Sequence, residues 1–157
     1  MDRDPSRREF VLAAAAGAVG AGLGVIIAAT PAPATPAAME EAIRKVVGSS
    51  RVTAGRVKLE LPPLSENGNA VPLAVNVESP MTEADHVRAL HVFTEKNPQP
   101  DVVTVRLGPR AGRARVATRI RLADTQTVVA IAQMSDGSFW SDRVDVVVTL
   151  AACLEET

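Results

Sequence analysis

From Val57 onward the apolar residues of this chain fall on every second position, and that period decides what the chain can fold into. Val57, Leu59 and Leu61 alternate with Lys58 and Glu60 until Pro62-Pro63 ends the run. Val71, Leu73, Val75 and Val77 repeat the pattern after Glu66-Asn67-Gly68-Asn69, where Asn and Gly accept positive φ at little cost and so predict a turn. Further strands are predicted over Val87 to Phe93, Val103 to Leu107, Ala114 to Leu122, Thr127 to Met134 and Phe139 to Leu150. Successive strand side chains point to opposite faces, so each segment has one face to bury. Seven short segments of this kind, separated by turns, predict an all-β fold, an immunoglobulin-like antiparallel β-sandwich. One short N-terminal helix is expected from about Met39 to Val47, with Met39, Ile43, Val46 and Val47 on one face and Gly48 placed to stop it.

The first 34 residues have a different character. Arg7-Arg8 and Phe10 precede an uncharged stretch, Val11 to Ala29, and Ala32-Pro33-Ala34 then offers small residues at a cleavage point. A charged start, an apolar run and small residues describe a secretory signal, and the arginine pair narrows it to the twin-arginine type. Gly17, Gly20, Gly22 and Gly24 weaken the run as a membrane helix, so no stable membrane insertion is expected after cleavage. The expected organisation is a signal over 1–34, a linker and helix over 35–50, a sandwich over 51–150 and a cysteine tail over 151–157. Of 17 basic and 18 acidic residues, cleavage would leave 14 and 15. That balance, in an exported protein, gives no reason to expect nucleic acid as a partner.

Cys153 is the only cysteine, so it cannot form an internal disulfide. It is either a thiol presented to another molecule or a small hydrophobe tucked against the fold. Three residues past Leu150, on a fully extended chain, its sulfur would stand about 10 Å beyond the sheet. Arg113, Arg115, Arg119 and Arg121 share one parity, while Val116, Ile120 and Leu122 share the other. Four guanidinium groups on one face would attract a sulfur oxyanion or an acidic surface, unless carboxylates on neighbouring strands neutralise them. His86 and His91 lack partners at metal-ligand spacing, and Ser79, Asp85 and His86 are too close in sequence to orient one another as a triad. No cofactor or metal site is expected. Phe139 and Trp140 read as core or interface aromatics.

Several ordered motifs resemble the SoxY family. They are the twin-arginine start, Glu66-Asn67-Gly68-Asn69-Ala70-Val71-Pro72, Ser79-Pro80-Met81-Thr82, Arg119-Ile120-Arg121-Leu122-Ala123, Met134-Ser135-Asp136-Gly137-Ser138-Phe139 and the terminal cysteine. The resemblance spans nearly the whole chain. It implies a periplasmic carrier, not itself a catalyst, that pairs with a SoxZ-like subunit and meets other Sox proteins transiently. It also implies that Cys153 covalently holds thiosulfate or sulfane sulfur. The family's tail is Gly-Gly-Cys-Gly-Gly, whereas this chain has Ala151-Ala152-Cys153-Leu154-Glu155, a stiffer tether. Glu155 and Glu156 would disfavour the thiolate and repel an anionic substrate by up to about 1 kcal/mol per contact. The alternative reading is a structural or interaction subunit of the same family without carrier competence.

Overall fold

Thr35 opens the part of the chain that the computed structural model describes, residues 35–152. The signal at 1–34 and the cysteine at 153 lie outside the described residues. The Thr35 hydroxyl accepts from the Ala38 amide at 3.2 Å, and Pro36 takes the first helical position, where its missing N–H costs nothing. Helix α1 therefore runs Pro36–Val47, three residues earlier than its apolar period suggests, and stops at Gly48 (φ 60°), whose amide donates to Arg44 O. Among the described residues no helix is long and apolar enough to cross a membrane.

Nine strands follow: β1 (Val52–Ala54), β2 (Val57–Glu60), β3 (Leu64–Ser65), β4 (Val71–Val77), β5 (Val87–Thr94), β6 (Asp101–Arg106), β7 (Arg115–Ile120), β8 (Gln126–Met134) and β9 (Phe139–Val148). They form a mostly β sandwich. One sheet has the order β1-β9-β8-β5-β6, with β3 also on β9, and the other has the order β2-β4-β7. Seven strands match the alternating segments. β1 and β3 escape the period because three and two residues are too few to show one, and both run parallel to β9 in an otherwise antiparallel arrangement.

The alternation becomes the core. Val57, Leu59, Val71, Leu73, Val75 and Val77 from one sheet pack against Leu90, Val92, Val128, Ala130, Ala132 and Val146 from the other. A smaller apolar layer lies on the outer face of the larger sheet, where Met39 and Val47 of α1 cover Phe93, Ile131 and Phe139. Between β1 and β2 the chain changes sheets through Gly55 and Arg56, both at positive φ (116° and 56°). The Arg56 guanidinium lies 5.6 Å from the Trp140 ring centre and bridges to Asp85 at 3.3 Å, which fixes the crossing. Asp142 on β9 ties the sheets together by accepting the Leu59 amide at 2.8 Å.

His91 is buried on the helix-covered face, stacked on Phe93 at 6.1 Å, with Nδ1 3.0 Å from the Thr104 hydroxyl. Burial holds its pKa below the ordinary 6.5, against an upward pull from Asp101 and with a further downward push from Arg106. The unfolded chain then binds this proton more readily than the folded one. Stability from this group is complete above pH 6.5 and falls as pH drops through 6.5 toward the depressed folded value. Denaturant midpoints across that range should decline with acidification, and His91→Gln should flatten the decline.

Candidate functional site

The tail begins from main-chain contacts. β9 ends at Val148, not at Leu150, and Leu150 is 63% exposed, so it does not extend the buried face of that strand. The chain beyond Val148 instead follows the segment that enters β4. Thr149 N donates to Ser65 O at 3.0 Å, Gly68 N donates to Leu150 O at 2.8 Å, and Ala152 N donates to Leu122 O at 3.1 Å. Leu122 N in turn donates to Gly68 O at 2.8 Å. Three separate stretches of backbone thus close on one another, and Ala152 is only 6% exposed. Cys153 lies outside the described residues, but its neighbour is anchored. The last described main-chain anchor is therefore Ala152, two residues beyond Leu150, from which the extended reach of about 10 Å is reckoned.

Gly68 makes this closure possible. A Cβ there would stand 2.4 Å from Leu122 O and 2.8 Å from Ala152 N, both main-chain atoms that cannot swing aside. Its φ is not positive, so the glycine of the Asn67-Gly68 pair serves close approach and not a left-handed turn. Asn67 prepares the bend, its side-chain oxygen accepting from Asn69 N at 2.9 Å as a short 3-10 turn forms over Gly68–Ala70.

A buried polar group supports the same spot from the other side. Asn97 donates through Nδ2 to Arg121 O at 2.8 Å and accepts through Oδ1 from Ala123 N at 3.0 Å and Gln126 Nε2 at 3.0 Å. It thereby grips the residues on either side of Leu122, whose side chain is fully buried. In sequence, Asn97-Pro98-Gln99-Pro100 reads only as a turn. A polar residue in such a turn carries no local sign that it will reach a distant strand end.

The four arginines are all exposed, but they do not share one strand. Arg115 and Arg119 lie in β7, Arg113 precedes it and Arg121 follows it. Their neighbours across β4 are Asn76 beside Arg115 and Pro72 beside Arg119, and the one carboxylate in that sheet's strands, Glu60, is engaged by Lys58 at 3.2 Å. The neutralising carboxylates considered from sequence are therefore absent. Among the described residues none of the four arginines forms a salt bridge. Between the free edges of β6 and β7 a groove of about 630 Å³ opens, lined by Val102, Val103, Ile120, Arg119 and Arg121 among others, with Asp101 of β6 as its one carboxylate.

The remaining candidates separate. Ser79 Oγ donates to the main-chain oxygen of Asp85 and His86 Nδ1 faces Thr82 O, so these side chains form no relay. His91 is on a strand and His86 in a loop, and among the described residues no three His, Cys, Asp or Glu come together as metal ligands.

Comparison with known proteins adds a family to this geometry. The family model described as sulfur oxidation protein SoxY matches residues 43–153, the match running to the cysteine. The sulfur carrier protein SoxY from Chlorobium limicola f thiosulfatophilum superposes with a TM-score of 0.61 at 26% identity, covering 73% of this chain and 98% of that one. A superoxide reductase (neelaredoxin) from Ignicoccus hospitalis superposes with a TM-score of 0.54 at 18% identity, covering 60% of this chain and 80% of that one. At that identity the likeness concerns the fold alone. No curated protein matches in sequence.

Replacing Gly68 by Ala should lower stability by about 1–3 kcal/mol, because the added methyl meets main chain on two sides. Hydrogen exchange at the Ala152 amide should accelerate more than exchange in β8, which the variant does not touch. Replacing Asn97 by Leu should cost about 2–4 kcal/mol in denaturant unfolding, since Arg121 O and Ala123 N would lose their buried partner.

Proposed function

The chain belongs to the SoxY family, whose role is sulfur carriage in sulfur oxidation, and on that premise we propose that Cys153 is the residue that holds the cargo. The observation that carries this reading is that the family match extends to Cys153, the residue that follows the main-chain anchor at Ala152. A carrier needs a nucleophilic sulfur fixed at a known exit from a rigid body. The closure of Gly68, Leu122, Leu150 and Ala152 supplies that exit.

In the proposed loading step the Cys153 thiolate forms a sulfur–sulfur bond to the outer sulfur of thiosulfate. Two electrons leave to a cytochrome partner, and the product is a cysteine S-thiosulfonate. Hydrolysis by another Sox protein then releases the sulfonate group as sulfate and two protons, leaving a persulfide on the carrier. Nothing in these steps asks the carrier to supply an acid, a base or a metal. The same reading places the chain in the periplasm after twin-arginine export, paired with a SoxZ-like subunit.

The departure of the tail from Gly-Gly-Cys-Gly-Gly favours a second reading, an interaction subunit that keeps the sandwich without carrying sulfur. Buried Ala152 in place of a glycine narrows the backbone freedom before Cys153, and Leu154 and Glu155 stand in sequence where the family has two glycines. Intact mass separates the two readings. The protein is isolated without reductant from thiosulfate-grown cells of its native host and measured before and after reduction. A reducible sulfur adduct on the native chain, missing from Cys153→Ser, is the expected result. An unmodified thiol with the other Sox proteins present would transfer the assignment to the interaction subunit.

A further inference from the structure

We propose that the free edge of β7, with the groove beside it, docks an extended segment of a partner protein in which acidic residues alternate with apolar ones. That the partner is one that acts on the cysteine arm rests on the carrier reading above.

From Asp101 to Ala123 the chain holds six arginines (Arg106, Arg110, Arg113, Arg115, Arg119 and Arg121) against a single carboxylate, Asp101, in a protein whose net charge is only −1. Among the described residues none of the six enters a salt bridge. This segment forms β6 and β7, which are edge strands of different sheets on the same side of the sandwich. Positive charge and unpaired main chain therefore coincide there.

The register fixes what would fit. β7 bonds to β4 on one side, and its other side is open. A strand added to that side would lie about 4.8 Å away, with side chains alternating between the two faces. On the outer face its residues would stand beside Arg115 and Arg119, where carboxylates are favoured. On the inner face they would project over Val102, Val103 and Ile120, where apolar side chains are favoured.

Competing occupants meet specific obstacles. Arg115 and Arg119 are four residues apart on a strand, roughly 13 Å, so a linear segment with carboxylates at that spacing meets both directly, whereas one anion the size of thiosulfate meets both only if the two side chains bend toward each other. A second copy pairing antiparallel about Ala117 would set Arg115 against Arg119 twice, a like-charge arrangement that opposes association. β7 has neither proline nor an inward charge, so these arginines also serve as its guard against indiscriminate pairing. Position adds a reason for the partner to dock here: β7 leads through Arg121 into Leu122, whose carbonyl holds Ala152. A segment seated on this edge would lie beside the root of the arm.

The test uses the purified full-length chain and a labelled synthetic peptide of alternating valine and glutamate, followed by fluorescence anisotropy and by backbone amide shifts. The expected result is salt-sensitive binding, with shifts along β7 and the facing part of β6. Affinity should fall at least about tenfold in Arg115→Glu/Arg119→Glu and to a lesser extent in Arg115→Gln/Arg119→Gln. Thermal melts check that both variants are folded. Equal binding to the variants, or to a valine–lysine peptide, would overturn the proposal. So would shifts on β7 from thiosulfate alone in the absence of peptide binding, which would make the face a small-anion site. Peptide binding that emerges only in Glu155→Gln/Glu156→Gln would give the groove to the chain's own tail and likewise overturn it. Arginine-dependent dimerisation in sedimentation would do the same in favour of a second copy. Cys153→Ser should bind the peptide like the native chain, so failure of the docking surface and failure of sulfur carriage are read separately.

Discussion

A single approach of main chain to main chain, at Gly68, governs how this sandwich ends. The entrance to β4, the exit from β7 and the departure of the tail meet within hydrogen-bonding distance of one residue that has no side chain. Elsewhere the sandwich is held by distributed burial of valine, leucine and isoleucine, where the loss of one contact is shared among many. At Gly68 there is no such sharing. The spacing of three backbones is set by the absence of a methyl group, and Asn97 braces the same point from the side opposite the tail.

This closure has a consequence for a carrier arm. A glycine-flanked cysteine on a free tether samples many positions, and each partner that must bind it works against that entropy. Here Leu150 and Ala152 are bonded to the body of the fold, so the main chain is held up to the residue before Cys153 before any partner arrives. Part of the entropic cost of presenting a thiol is thus met during folding, and what is given up is reach. The Ala-Ala sequence before Cys153 is consistent with this, since both residues restrict the backbone relative to glycine.

Much of this architecture was legible in the sequence, and the failures have a physical pattern. Strands with four or more alternating residues were found because period two is a local property: Val71, Leu73, Val75 and Val77 are buried just as they alternate. β1 and β3 went unseen because their existence depends on the edge of β9, more than eighty residues away. The start of α1 at Pro36 lies ahead of the apolar period, in the stretch that reads as linker, because Thr35 supplies a cap and Pro36 a first helical residue that periodicity does not show. Gly68 was read correctly as a turn residue and for the wrong reason, since a close approach is invisible without the partner strands. Of the four arginines read as one strand face only Arg115 and Arg119 lie in β7, and their lack of carboxylate neighbours in that sheet follows only from knowing that β4 puts Asn76 and Pro72 beside them.

The anchored arm and the arginine edge bear on one problem from opposite ends. If the thiol cannot travel far, a partner's catalytic cleft has to be brought to it, and the orientation of that partner matters more than it would for a long flexible arm. Salt-sensitive attraction along β7 speeds encounter without deep burial, which suits partners that must arrive and leave in turn. Main-chain pairing on the same strand fixes register, because a strand slipped by one residue turns its carboxylates toward the apolar groove and its apolar side chains toward the arginines. β7 ends at Ile120, two residues before the Leu122 carbonyl that holds Ala152, so orientation gained at the edge is passed to the root of the arm through a short stretch of backbone. On the proposed reading, rigidity at Gly68 and charge along β7 are complementary: the first would fix where the arm leaves the fold, and the second where a partner stands beside it.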